Sequence, residues 1–221
     1  MQAEKKLSMR RRVLREAVSW LWVLAAFLLI QGTLVQARVI PSGSMEQTLL
    51  VGDHLLISRL GYDVGAPFTG WHVRLWREPH RQQVVIFRAP LPGSPDYVKR
   101  LIGLPGDRLE IRKGAVWVNG QRLAEPYLDG PVNPHENFGP LTVPMQSYFV
   151  MGDNRNDSYD SRYWGFVPRS AIVGTPWVIY MSIDASEQAW QPGQIRARMD
   201  AYLDALLHPR RVRWRRLFKT F

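Results

Sequence analysis

Three stretches of this 221-residue chain hold side chains whose types and spacing could do chemistry. The first is Ile40-Pro41-Ser42-Gly43-Ser44-Met45-Glu46-Gln47-Thr48-Leu49. Pro41 fixes φ and biases Ile40 towards extended backbone, and Gly43 lets another backbone come close. A stiff, extended segment of this kind can present a serine hydroxyl at a site, although serines in a Pro/Gly-rich stretch ordinarily mark a turn. The second is Tyr97-Val98-Lys99-Arg100-Leu101-Ile102-Gly103, with a lysine inside a strand-like apolar run. The ordinary reading of Lys99 is a side chain that snorkels to the surface. The chemical reading is a desolvated amine, whose lowered pKa lets it accept a proton. The third, Gly152 to Gly165 (GDNRNDSYDSRYWG), is dense in hydrogen-bonding groups. It is either a solvated loop or an internal polar network that orients a catalytic group.

Composition removes other chemistries. The chain has no cysteine, hence no disulfide, thiolate metal site or cysteine nucleophile. His54, His72, His80, His135 and His208 show no metal-ligand spacing, so neither metal nor cofactor is expected. The net charge of +10 is confined to the ends. Residues 1–16 carry six basic and two acidic side chains, residues 209–221 six basic and no acidic ones, and the body is neutral. Basic ends beside an apolar run fit a membrane surface better than a nucleic-acid groove, so the expected partner is a lipid bilayer and not nucleic acid.

The elements that must position these stretches emerge from periodicity. Residues 17–35 carry no charge, and about 20 apolar residues are what a bilayer crossing needs. Trp20 and Trp22 suit an interface, and the basic 1–16 flank puts the N-terminus in the cytoplasm. A cleavable leader ending at Val35-Gln36-Ala37 is the rival reading; the closeness of the serine stretch favours a retained anchor. Strands are expected over 51–58, 84–87, 108–112, 115–118, 121–123, 147–151 and within 172–183, the last with Pro176 at an edge or bulge. Asn119-Gly120 is a hairpin turn. Residues 61–82 and 124–146 read as loops. Ile195, Met199, Tyr202, Leu203, Leu206 and Leu207 fall on one helical face, ended by Pro209, and the tail interleaves arginine with aromatics, which fits either interfacial binding or packing on the body. The expected fold is mainly β. An antiparallel catalytic sheet domain spans 38–183, with a small cap region at about 110–150, one N-terminal transmembrane helix, and an amphipathic helix and basic tail over 194–221.

PSGSMEQTL, YVKRLIGLPGD and GDNRNDSYDSRYWGFVP, in this order and spacing behind an apolar run, resemble the nucleophile, lysine and C-terminal boxes of the type I (leader) signal peptidases. The resemblance covers roughly residues 17–183. It implies a serine endopeptidase of the bacterial inner membrane, single-pass, with its catalytic domain on the outer side, which removes signal peptides from exported preproteins after Ala-x-Ala ends. It implies Ser44 as nucleophile and Lys99 as general base, a dyad variant of Ser-His-Asp catalysis. By the same resemblance the Ser42 hydroxyl and the Ser44 backbone N–H would form the oxyanion hole. It further implies that Ser158 positions the lysine and that Asp160 and Arg162, with Arg155 in the same network, support the site. It implies that Ile40, Pro41, Met45, Leu49, Tyr97 and Val98 line shallow pockets for small substrate side chains.

The chain departs from the pattern at Gln47, where proline is usual and whose absence should loosen the adjoining strand. It also departs at Arg38, beside the second pocket, and at Arg81-Gln82-Gln83. Three rivals remain open: a specialised processing peptidase of a secretion or conjugation system, a non-catalytic membrane-tethered binding protein, and a self-cleaving Ser-Lys repressor. The neutral body and the anchor speak against the last.

Overall fold

The computed structural model of the chain describes residues 2–65, 72–74, 77–89, 95–130 and 132–221. Helix α1 runs over Gln2–Thr33 and leads into strand β1 (Val35–Val39). Further strands are β2 (Asp53–Ser58), β3 (Asp63–Gly65), β4 (His72–Arg74), β5 (Val84–Phe87) and β6 (Tyr97–Gly103). Next come β7 (Arg108–Arg112), β8 (Ala115–Val118), β9 (Gln121–Arg122), β10 (Phe138–Thr142) and β11 (Ser147–Met151). A short helix α2 (Ser161–Trp164) precedes β12 (Val167–Pro168) and the long β13 (Ile172–Ser182), and the chain closes with α3 (Glu187–Trp190) and α4 (Ile195–Leu207).

The fold is mainly β and antiparallel. Seven strands form one sheet in the order β1-β2-β13-β5-β6-β11-β12, and four form a second in the order β10-β7-β8-β9. β5 is buried at every residue and β6 at all but its first two, because the sheet is covered on both faces; β5 is apolar throughout, while β6 buries Lys99 and Arg100 among its apolar residues. One core joins Ile40, Met45 and Leu49 to Leu55, Ile57, Val84, Ile86 and Ile179, which fastens the serine stretch to the sheet. Another packs the two sheets together through Ile102, Leu109, Ile111, Val116, Phe149 and Met151.

β13 is central, not an edge. It pairs with β5 through Ile172 and Gly174 and with β2 from Thr175 to Ser182. Pro176, which lacks an N–H, sits where the register with β2 shifts, so the bulge alternative is the one the strand adopts. Chain beyond α4 then covers the rest of β13: Phe218 donates to Ile179 O, Ile179 to Lys219 O and Arg213 to Ser182 O. From this tail Arg216 reaches the fully buried Asp53 at 2.5 Å and donates to Thr48 O at 2.9 Å.

Several expectations are corrected. Residues 61–82 are not simply irregular, since β3 and β4 pair within them; 66–71 and 75–76 lie outside the described residues. β10 forms inside the expected 124–146 loop, against β7, with Gly139-Pro140 hiding its pattern and its register slipping there. The anchor over 17–35 is not borne out. A helix stands there, but it ends at Thr33 and Val35 already belongs to strand β1, and among the described residues no helix is long and apolar enough to cross a membrane. The side chains of 28–33, the apolar end of that run, lie outside those described.

Candidate active site

The serine stretch is extended only as far as Ser42 (φ −142°, ψ 155°). Gly43–Met45 then make a 3-10 turn, so Ser44 projects from a tight turn and not from a stiff strand. Met45 is buried beneath it and acts as a pin. The turn is held from the far side, where Asn154 donates to Ser44 O at 3.1 Å from its backbone and to Gly43 O at 3.1 Å from its side chain. This approach requires Gly152, because a Cβ there would overlap both Ser44 O and Ser158 Oγ.

Lys99 enters from β6, opposite Val85 of β5. Its Nζ lies 2.5 Å from Ser44 Oγ, and the residue is only 5 % exposed. Burial is the main cause that lowers its pKa to about 8; Asp160 pulls it up, Arg162 pushes it down, and Asp153 and Asp157 pull it up again. The amine is therefore substantially neutral near pH 8. A neutral amine at hydrogen-bond distance from a hydroxyl can take its proton as the oxygen attacks a carbonyl.

The polar network behind the pair is internal. Asp160 is fully buried, receives Gly152 N at 2.9 Å and meets Arg162 through two contacts of 2.8 Å. Arg162 continues to Glu136 at 2.8 Å. Arg155 does not join that chain. It pairs with Glu125, on the loop after β9, and touches the other network only through Gly152 O at 3.1 Å. Ser158 is buried beside Gly152, yet its Oγ has no hydrogen-bond partner among the described residues, so the expected bond to Lys99 is not made.

A cavity of about 440 Å³ opens over the pair, lined by Ile40, Pro41, Ser42, Ser44, Met45, Tyr97, Val98 and Lys99. An apolar cavity of about 180 Å³ adjoins it, shares Ile40, Pro41 and Val98, and adds Leu55, Ile57 and Ile86. Arg38 stands on this second cavity, paired with Asp96 at 3.2 Å. Leu49 lines neither; it is fully buried in the core beneath Ile40. A separate cavity of about 520 Å³ beside β8 and β9 contains neither Ser44 nor Lys99.

Sequence reading missed further residues here. Thr48 donates to Asp153 at 2.5 Å, and Arg100 grips Asp153 at 2.6 and 2.8 Å, which locks the end of the serine turn to the strand that carries Lys99. The signal was a second cation next to Lys99 in an apolar strand. Glu187 accepts from Gly43 N at 3.1 Å and Gln191 donates to Pro41 O at 3.1 Å, so α3 walls the cavity from a part of the chain that carried no motif. Gln47 does not loosen the chain beyond it. It turns with φ 90°, a value closed to proline, and ties down Asp129 N at 3.0 Å. His54 is a core histidine between Gly52 O and Tyr202, its pKa lowered by burial, and no metal-holding cluster exists among the described residues.

The sequence model of the family described as signal peptidase, peptidase S26 matches residues 13–181, a span that holds both Ser44 and Lys99. The chain belongs to that family. It is 37 % identical over 183 residues to a probable signal peptidase I-2 of Synechocystis sp., covering 73 % of this chain and 77 % of that protein. It is 36 % identical over 162 residues to a signal peptidase I of Leptolyngbya laminosa, covering 70 % and 73 %. A signal peptidase I of Pseudomonas aeruginosa is 33 % identical over 215 residues, covering 80 % and 76 %. The peptidase S26 match ends at 181, so α3, α4 and the tail with Arg216 all lie beyond it.

Proposed function

We propose that this chain is a serine endopeptidase that removes signal peptides from exported preproteins, with Ser44 as nucleophile and Lys99 as general base. The observation that carries the reading is the 2.5 Å approach of Lys99 Nζ to Ser44 Oγ in a setting that holds the amine near pKa 8.

Ser44 Oγ attacks the scissile carbonyl while neutral Lys99 takes its proton. The carbonyl oxygen becomes an oxyanion, received by the Ser44 backbone N–H and the Ser42 hydroxyl; losing one such donor typically costs about 100- to 1000-fold. Collapse breaks the C–N bond, and Lys99 returns the proton to the leaving amine. Water, deprotonated by Lys99, then cleaves the acyl ester and frees Ser44. Ser158 holds the lysine side chain as it gains charge; a buried hydroxyl without a partner is suited to that moment. Asp160 and Arg162 keep the Gly152 backbone, and thus the serine turn, in place.

The substrate lies extended over the site, as in strand addition. The roughly 180 Å³ and 440 Å³ cavities receive the alternate side chains of an Ala-x-Ala end. The reaction takes place at a membrane surface: α1 exposes Trp20, Leu21, Trp22, Val23 and Phe27, apolar side chains that suit lipid. The test is cleavage of a preprotein with an Ala-x-Ala signal end by wild type, Ser44→Ala and Lys99→Ala. Cleavage after the small-residue motif by wild type alone supports the reading; equal cleavage by either variant overturns it.

A further inference from the structure

The apolar stripe of α4 faces away from the protein. The helix packs through Ala197, Ala201, Tyr202 and Ala205 against Val51, Ile183 and Trp190. Ile195, Met199, Leu203, Leu206 and Leu207 are 52–76 % exposed, at helical spacings that put them on one outward face. Short alanines face inwards and long aliphatics outwards, the reverse of an ordinary amphipathic helix. A contiguous exposed patch of this kind marks an interaction site.

The next residues indicate what covers it. The chain passes from α4 into two 3-10 turns, Pro209–Arg211 and Trp214–Arg216. Their basic residues divide into two sets. Arg211 pairs with Asp204, Arg213 donates to Val51 O and Ile183 O, and Arg216 holds Asp53, so these three serve the fold. Arg210, Arg215 and Lys219 are exposed, interleaved with Trp214 and Phe218, which are 62 % and 77 % exposed. Long aliphatics, aromatics and lysine or arginine heads together suit the headgroup and upper acyl region of a bilayer with anionic lipid, each cation near such a surface adding about 1 kcal/mol.

We propose that α4 and the 209–221 tail form a docking surface for an anionic lipid bilayer, separate from α1. Docked here, the chain is held to the lipid from the element next to α3, whose Glu187 and Gln191 touch the serine stretch. The contact therefore fixes the cavity relative to the plane of the lipid. This inference stands apart from the proposed chemistry and survives or fails independently of it.

The absence of cysteine allows a direct test. In the full chain, Leu203→Cys, Phe218→Cys and, as a control on the second sheet, Arg122→Cys are each labelled with an environment-sensitive fluorophore. Each is reconstituted into vesicles of phosphatidylcholine, with or without phosphatidylglycerol, carrying brominated acyl chains. The expected result is quenching at 203 and 218 but not at 122, stronger with phosphatidylglycerol. Arg210→Gln, Arg215→Gln and Lys219→Gln should each lower the docked-to-undocked ratio roughly 5-fold. Quenching at 203 that is absent, or indifferent to phosphatidylglycerol and to these variants, overturns the proposal. So does shielding of 203 that rises with protein concentration without lipid, which would make a second copy the occupant.

Discussion

Two regions of this molecule invert the usual distribution of polarity in opposite senses. Around β6 and β11 the chain buries charge: Lys99, Arg100, Asp153, Arg155 and Asp160 are all nearly inaccessible. Along α4 and the tail it exposes large apolar side chains. Buried charges and exposed apolar patches are the informative exceptions to the ordinary rule of burial. The contrast lies in how each is compensated. In the buried region Arg100 pairs with Asp153 at 2.6 Å, Arg162 with Asp160 at 2.8 Å and Arg155 with Glu125, whereas Lys99 and the Ser158 hydroxyl stand outside these pairs. The pairs serve the fold, and the proposed chemistry draws on Lys99 and Ser158. In the exposed region nothing among the described residues covers the stripe, which directs attention outwards.

The largest effects should come from the exceptions. Ser44→Ala and Lys99→Met should each lower the rate of preprotein cleavage by about 1000-fold or more, because the two groups act as a unit. The two variants should differ in stability. A lysine whose pKa falls from 10.5 to about 8 on folding leaves the unfolded state holding more protons, so stability rises with pH between these values and is reduced below them. Lys99→Met removes that burden and should stabilise the chain near neutral pH by up to about 3 kcal/mol in denaturant titrations. A destabilised Lys99→Met would break the contrast, since it would make Lys99 a structural partner.

The paired charges should behave in the opposite way. Asp153→Ala leaves Arg100 buried without a counter-charge, and unfolding should shift by about 3–5 kcal/mol. A loss under about 1 kcal/mol would show the pair to be dispensable. Ser158→Ala sits between these cases. Its hydroxyl has no partner to lose, so stability should change by less than about 1 kcal/mol. Turnover should fall while KM holds, with the pH midpoint displaced, since the proposed role of the hydroxyl is on the lysine and not on the substrate; an unchanged midpoint would remove Ser158 from the mechanism. The smallest effect belongs to the exposed stripe. Met199→Gln should leave unfolding within about 0.5 kcal/mol of wild type, and a larger loss would mean that the stripe packs on the protein.

How legible all this was in the sequence depended on the range of the interactions. Strands with unbroken apolar runs, such as β5, and helix α4 with its proline stop could be read locally. β10 could not, because Gly139-Pro140 interrupts it and only the pairing with β7 makes it a strand. The three boxes marked Ser44 and Lys99, but not the turn that presents the serine, which depends on Asn154 coming from more than a hundred residues away. The resemblance puts Arg155 in the Asp160 network, whereas its partner Glu125 lies in a loop without a pattern. Leu49 has the apolar character of a pocket residue, but its place in the turn points it into the core. The helical face of α4 was visible as a stripe, while its direction was not: alanines, which carry little signal in a hydrophobic pattern, are the side that packs.

The most direct test of the central claim, that a neutral Lys99 activates Ser44, is the pH dependence of kcat/KM for preprotein cleavage by wild type beside Lys99→Arg. In the proposed mechanism the neutral amine is the active form, so the wild-type rate should rise about tenfold per pH unit below the midpoint and level off above about 8. Lys99→Arg, which stays charged throughout, should be inactive across the range. A flat wild-type profile together with a cleaving arginine variant would contradict the dyad.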